Sequence, residues 1–297
     1  MGGEAKLGLA VSGGPDSVAL LVLAAAALPL RIEAATVDHQ LRAESADEAK
    51  VVALLCGELS VRHAVLQVTV AAGNLQSEAR HARYAALAAW MEDRSLAALA
   101  TAHHADDQAE TLLMRLGRGS GVGGLAGVRA AGPVPGTRKL LIRPLLGWRK
   151  ADLERIVADA GVEAAQDPSN SDLRYDRARL RKSIQTADWL DVPAIAQSAA
   201  HLADADVALD WAAAREWDDR VSEQGLGLTY RPSAPRAIAL RVVARIVAKL
   251  DGTQPRGSAV ARLFDALVAR QTSSIGNLVA RVTPEGWSFA RAPQRRK

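Results

Sequence analysis

Three short polar segments carry residue types that could do chemistry: Ser12-Gly13-Gly14-Pro15-Asp16-Ser17, Asp38-His39 and His103-His104-Ala105-Asp106-Asp107. The first lies between an apolar run ending at Val11 and another from Val18 to Leu23, the pattern of a strand, a tight glycine turn and a helix. A turn of that shape suits an anion. Gly13 and Gly14 let the backbone come close, and the first N–H groups of the following helix have no partner within it. Ser12 and Ser17 add hydroxyls, and Asp16 suits a phosphate if Mg²⁺ bridges the two. No Lys precedes Ser17, so the G-x-x-x-x-G-K-[ST] phosphate loop is absent. A plain strand-to-helix turn is the alternative for Gly-Gly-Pro alone, and the two serines and the aspartate in register argue against it.

The elements that must position these segments alternate between strand and helix periods. Leu30 to Val37 reads as a second strand ending at Asp38-His39, Ser45 to Leu59 as a helix opened by a Ser45-x-x-Glu48 capping box, and Val61 to Val70 as a third strand. A helix from Leu75 to Glu92, a strand from Leu96 to Ala102 and a helix from Asp106 follow. This order predicts a mostly parallel α/β sheet covered on both faces, with ligands bound past the carboxyl ends of its strands. All three polar segments lie there. Gly117 to Gly124 reads equally as a lid or as a loop of tight turns, and Gly132 to Gly136 as a turn between short strands. Residues 149 to 160 read as a helix, and Arg174 to Lys182 as a basic helix with Arg174, Arg177 and Arg181 on one face. That face could track phosphates or simply be solvated. From about Asp188 the chain is alanine-rich, with helices over Pro193–Val221, Ala234–Leu250 and Gly257–Arg270 and a few short strands. The expected organisation is therefore a nucleotide-binding domain over 1–187 and a smaller, mainly helical domain over 188–297.

The 297 residues, 49% of them hydrophobic, support two cores. The apolar run from Val18 to Leu30 is too short to span a bilayer, so no membrane association and a cytoplasmic location are expected. The net charge of +4 is modest, and its useful feature is clustering at 174–182 and at Arg295-Arg296-Lys297. Cys56, the one cysteine, lies in an apolar helix and reads as a buried hydrophobe. It excludes an internal disulfide and a cysteine-ligated cluster. His63 and His201 read as structural histidines.

SGGPDS resembles the PP-loop of the ATP pyrophosphatases, which split ATP between its α and β phosphates. That loop alone leaves GMP, NAD and asparagine synthetases and tRNA thiolases open. Further segments narrow the field: Val37-Asp38-His39-Gln40-Leu41-Arg42, Ala79 to Tyr84 (ARHARY), His103 to Thr111 (HHADDQAET), Arg118 to Leu125, Arg143-Pro144-Leu145-Leu146 and Asp167-Pro168-Ser169-Asn170. In this order they resemble the signature of the tRNA(Ile)-lysidine synthetase family. Two departures stand out. An Arg-Asn pair commonly follows the DPSN turn, whereas this chain has Arg177-Ala178-Arg179; and the chain resembles the shorter architecture, with one C-terminal domain.

The resemblance implies a Rossmann-like PP-loop domain and a ligase that adenylates the C2 oxygen of the wobble cytidine in tRNA(Ile) with a CAU anticodon. Free L-lysine then displaces AMP to give lysidine. It further implies ATP held by Ser12, Gly13, Gly14, Pro15, Asp16, Ser17, Asp38, His39 and Arg118, and Mg²⁺ on Asp16 and Asp107. Asp16, Arg83, His103 and Asp107 would be catalytic, and Arg174, Arg177 and Arg181 would contact tRNA. A homodimer is implied as well. Two alternatives are another tRNA-modifying PP-loop enzyme, a thiolase, which the apolar setting of Cys56 opposes, and a non-catalytic ATP- or RNA-binding protein, which the carboxylates Asp16 and Asp107 oppose.

Overall fold

The computed structural model describes residues 5–40, 45–69, 75–165 and 176–292. Leu41-Arg42, the DPSN turn, Arg174 and the Arg295-Arg296-Lys297 cluster lie outside them, as does the side chain of Ser45 in the expected capping box. The chain divides into two compact units, Met1–Ala203 and Asp204–Lys297.

In the first unit, strands β1 (Leu7–Ala10), β2 (Ile32–Asp38), β3 (Arg62–Gln67), β4 (Ala98–Ala100), β5 (Ala131–Pro133) and β6 (Leu140–Ile142) form one sheet in the order β3-β2-β1-β4-β6-β5. All neighbours are parallel except the β5–β6 hairpin. Its helices are α1 (Pro15–Ala27), α2 (Ser45–Glu58), α3 (Leu75–Asp93), α4 (Ala105–Leu116), α5 (Val122–Leu125), α6 (Lys150–Asp159) and α7 (Asp176–Thr186); α8 (Val192–Arg220) begins here.

Two cores sandwich the sheet, and the period of two in the strands decides which residue enters which. Leu7, Leu9, Ile32, Ala34, Ala98 and Ala100 join α1, α2 and α6 on one face. Ala35, Leu99 and Leu141 join Tyr84, Leu87, Trp90 and Met91 of α3 on the other. Gly8 opens that second face: a Cβ there would stand 2.8 Å from the Trp90 ring and 2.9 Å from Leu96. Cys56 is buried in the first core, which pushes its thiol up to about 11, and His63 is satisfied by Thr36 Oγ1 at 2.9 Å. His201, expected to be structural, is instead exposed on α8, where the polar face of the helix carries it.

The strand order reverses direction at β1: the chain moves outward through β2 and β3, then returns to place β4 on the other side of β1. In open α/β sheets this switch point leaves a crevice beyond the strand ends. The glycine-rich stretch that follows α4 is tied down rather than hanging free. Arg115 Nη1 donates to Gly124 O (2.6 Å), and Gln108 exchanges two bonds with the Val128 backbone (2.6 and 2.8 Å).

The second unit carries the rest of α8 with α9 (Arg236–Asp251) and α10 (Gly257–Val268). Its strands β7 (Val221–Gln224), β8 (Gly227–Tyr230), β9 (Ser273–Ile275), β10 (Leu278–Thr283) and β11 (Gly286–Arg291) pair antiparallel in the order β7-β8-β11-β10-β9. Trp287 sits edge-on to Tyr230 and Phe264, with ring centroids at 5.9 and 5.2 Å, and packs with Val243, Ile246 and Leu263. Glu216 accepts from Tyr230, from the Ser233 hydroxyl and from the backbone of Ser233 and Ala234.

Glu33 is a carboxylate at 3% exposure in the middle strand region, and Arg94 and Lys6 hold it. Arg94 donates at 2.9 and 3.2 Å and Lys6 at 3.2 Å. The Arg94 bonds lower its pKa against the opposing effect of burial. A lowered folded-state pKa adds stability above the unfolded value, and that stability is lost as pH falls through the folded one. Glu33→Gln is therefore expected to cost about 1–2 kcal/mol at pH 7. In urea titrations the gap between parent and variant should close as pH falls below about 4.

Candidate functional site

The loop after β1 is held open by its own side chains. The Ser12 N–H donates to Ser17 Oγ (3.1 Å), the two hydroxyls are 3.2 Å apart, and Ser17 Oγ donates to Gly14 O (2.9 Å). Gly13 takes a left-handed φ of +91°, where a side chain would be strained, and Ala165 N–H returns to Gly13 O at 2.9 Å. Pro15 is the first residue of α1, where its missing N–H costs nothing. Gly14 caps α1 without a side-chain hydrogen bond.

Beyond β4, Thr101 Oγ1 lies 3.0 Å from His103 Nδ1, and His104 turns the chain into α4. The two adjacent histidines have opposite environments. Burial pushes His103 down to about 4, with Arg143, Arg177 and Arg80 adding to the effect and Asp107 opposing it. It is neutral at pH 7. His104 is 3% exposed, and burial alone would also lower it. Three carboxylates overcome that: Nε2 is 3.5 Å from Asp16 Oδ2 and 3.5 Å from Asp107 Oδ2, and Nδ1 is 3.7 Å from Asp106 Oδ2. They raise His104 to about 9, so it carries a positive charge at neutral pH.

Each carboxylate is anchored from a different element. Asp107 accepts from the His104 backbone N–H (3.2 Å) and from Arg177 Nη2 (2.7 Å). Asp106 accepts from Arg149 Nε and Nη2 and from Lys150 N–H, at 3.2, 3.1 and 2.8 Å, bonds that with His104 hold it far below the usual carboxylate range despite burial. Among the described residues, the buried Asp16 Oδ1 has no hydrogen-bond partner. One helical turn past Asp107, Glu110 at 2% exposure accepts from Arg177 Nε (2.6 Å) and from Arg181 Nε and Nη2 (2.6 and 3.2 Å).

At the end of β2, Asp38 Oδ1 accepts from Gln40 N–H (2.8 Å), and the buried His39 Nδ1 has no hydrogen-bond partner among the described residues. Burial, with the nearby Arg83, lowers His39. Arg83 and Arg80 flank the Tyr84 ring at 5.4 and 4.9 Å, and burial lowers the pKa of Arg83. Arg143, after β6, donates to Arg129 O (2.6 Å) and leaves a buried Nε unpartnered.

The crevice thus gathers Ser12, Gly13, Gly14, Asp16 and Ser17 with Asp107, while His103 lies within the field of Asp107, Arg143 and Arg177. Arg118 is not part of that gathering: its guanidinium is exposed and meets Asp176 at 3.5 Å. Arg177 and Arg181 turn toward α4 and are engaged by Asp107 and Glu110, so the outward charges of α7 are Arg179 and Lys182. His104, Asp106, Glu110 and Arg143 lay within segments that the sequence marked but were given no role of their own there, and Arg149 was read only as the start of a helix. Their signals were present as an Asp three positions after an N-cap residue, His104-x-x-Asp107, and as Glu110 on the face of α4 that Asp107 begins. Among the described residues no group of three or more His, Cys, Asp or Glu side chains could hold a metal ion. Nor is any helix among them long and apolar enough to cross a membrane.

Removing Glu110 would leave Arg181 without its carboxylate partner and Arg177 held by Asp107 alone. Glu110→Ala is expected to loosen α7, at a cost of about 1–3 kcal/mol for the charged hydrogen bonds lost. In hydrogen exchange, protection should fall over 176–186 while 236–251 in the second unit is unchanged.

Comparison with known proteins adds independent observations. Residues 2–187 match the model of the PP-loop domain family. The chain is 47% identical over 292 residues to tRNA(Ile)-lysidine synthase of Novosphingobium aromaticivorans, spanning 97% of this chain and 89% of the relative. It is 40% identical over 298 residues to the enzyme of the same name from Zymomonas mobilis, spanning 98% and 90%. Among solved structures, the U34-tRNA thiolase of Methanococcus maripaludis with its [4Fe-4S] cluster aligns with a TM-score of 0.55 at 16% identity, over 67% of this chain and 71% of that one, a likeness of fold.

Proposed function

The chain belongs to the tRNA(Ile)-lysidine synthase family, and from that premise we propose how its own residues share the ATP-dependent formation of lysidine on tRNA(Ile). One observation carries the assignment. Asp16, on the phosphate loop, and Asp107, on α4, approach the same imidazole nitrogen at 3.5 Å each, so the loop and the α4 carboxylate border one space.

ATP lies with its β and γ phosphates on the loop, held by the backbone of Gly13 and Gly14, by the hydroxyls of Ser12 and Ser17, and by the first turn of α1 that Pro15 opens. Asp38 and His39, beyond β2, border the nucleotide, and Arg83 neutralises charge on the α phosphate as the C2 oxygen of the wobble cytidine attacks it. Arg is better suited than Lys there because its planar fork can hold two oxygens. Arg118 lies farther out and meets the adenylate or an RNA phosphate. Asp16 and Asp107 would hold Mg²⁺, and the unpartnered Asp16 Oδ1 fits such a cation. Magnesium ions are commonly held by one or two carboxylates together with substrate phosphates, so a larger protein ligand set is not required. When bound there, Mg²⁺ supplies neutralising charge to the phosphates as pyrophosphate leaves.

The second half needs an uncharged amine. Asp107 orients the ε-amino group of free lysine. The nitrogen attacks C2, the bond from C2 to the AMP-bearing oxygen breaks, and the proton shed by nitrogen passes to His103. His103 has a free lone pair at pH 7, and the Asp107 carboxylate, which works against burial there, favours the imidazolium that forms. Arg177, half exposed on α7, stays close enough to meet RNA, with Arg174 and Arg181 beside it in the sequence. Residues 1–187 carry the chemistry, and 188–297 grip the tRNA. The enzyme works in the cytoplasm as a homodimer, the latter checked by light scattering.

The test is AMP release from α-labelled ATP and Mg²⁺, with lysine and unmodified tRNA(Ile) added separately and together. Labelled lysine should enter tRNA only when all components are present; AMP without lysine incorporation would sink the assigned nucleophile. Asp107→Asn is expected to lower turnover by about 10²–10³-fold with the fold intact. Unchanged turnover would remove Asp107 from both roles.

A further inference from the structure

Trp189 is 79% exposed. It stands at the mouth of an apolar cavity of about 450 Å³ walled by Leu113 and Leu116 of α4 and by Leu180 and Ile184 of α7, with Leu190 beside it. We propose that this cavity and the Trp189 ring receive an unpaired base of the tRNA anticodon loop, a neighbour of the modified cytidine. The inference rests on the tRNA substrate of the family and adds a second contact to it.

Three features of the place select a nucleobase. The cavity lies farther along the two helices that carry the site: α4 and α7, its walls, are joined by the pairs of Asp107 and Glu110 with Arg177 and Arg181. Leu113 is six residues beyond Asp107, about 9 Å along the helix axis, within the span of one loop. The rim is cationic. Arg118 follows the end of α4, Arg179 precedes Leu180 and Lys182 lies on the same helix, all three exposed; Asp176 pairs with both Arg118 and Arg179, which leaves the group with a net positive charge. Apolar walls below a cationic rim match a base below its phosphates, and a purely aliphatic partner would gain nothing from the rim. Finally, an exposed indole next to apolar walls offers a flat face on which an unstacked base can lie, the usual way proteins read RNA loops. Ser183, also lining the cavity, donates its hydroxyl to Arg179 O (3.1 Å) and keeps lone pairs to accept from an amino or imino group on the edge of that base.

The experiment uses the full chain and titrates unmodified tRNA(Ile) into the parent, Trp189→Ala and Trp189→Phe at several salt concentrations, with ATP affinity measured alongside. Trp189→Ala should weaken tRNA binding about tenfold, the scale of one lost base stack, and Trp189→Phe should keep most of it. The slope of log affinity against log salt should be the same in the parent and in Trp189→Ala, because no phosphate contact is removed. Parent affinity in Trp189→Ala overturns the proposal and leaves the face to a protein contact. A shallower salt slope in Trp189→Ala also overturns it, since the loss would then lie in the phosphate contacts. A parent that forms AMP with tRNA while Trp189→Ala binds it normally separates failure of this inference from failure of the family reading. A parent that neither binds tRNA nor forms AMP overturns both.

Discussion

The charge on His104 is the interaction on which the site depends. Three carboxylates from two segments surround one imidazole that burial would otherwise keep neutral, and without its charge Asp16, Asp106 and Asp107 would repel one another across the crevice. The carboxylates reach that place because each has a second anchor. Arg149 and the start of α6 fix Asp106, Arg177 and the turn into α4 fix Asp107, and the start of α1 fixes Asp16. The imidazolium thus links the phosphate loop of β1 to the helix that follows β4, across the boundary where the sheet changes direction.

Everything beneath this cluster serves to bring two strand ends side by side. β1 pairs with β4 in register, Leu7 to Ala98 and Leu9 to Ala100, so the loops after them leave the sheet as neighbours. Small residues at Ala98, Ala100 and Gly8 let helices press close on both faces, and the Trp90 ring occupies the room that Gly8 leaves. A sheet packed this tightly has little freedom to shift one strand end against the other, and a spacing of 3.5 Å between charged groups requires that rigidity.

Much of this was legible in the residues. The alternation of strand and helix, the loop at Ser12–Ser17 and the three strand-end segments follow from local periodicity and turn chemistry, which short stretches contain in full. What escaped depends on segments far apart in the chain. His103 and His104 are adjacent and chemically identical, and what separates a neutral histidine from a charged one is burial among distant arginines for the first and the meeting of Asp106, Asp16 and Asp107 around the second. Arg177 and Arg181 read as an outward basic face because their captor, Glu110, lies 67 and 71 residues away. In the second unit the short strands were visible, but their pairing into one five-stranded sheet around Trp287 was not, since β8 skips past two helices to reach β11.

The most direct measurement is an imidazole ¹⁵N titration of the ligand-free protein, with the signals assigned by His103→Gln and His104→Gln. The structure predicts a doubly protonated His104 that gives up its proton near pH 9 and a His103 that stays neutral down to about pH 4. A His104 that is already neutral at pH 7 would contradict the account, because the three carboxylates would then face one another with no positive charge between them.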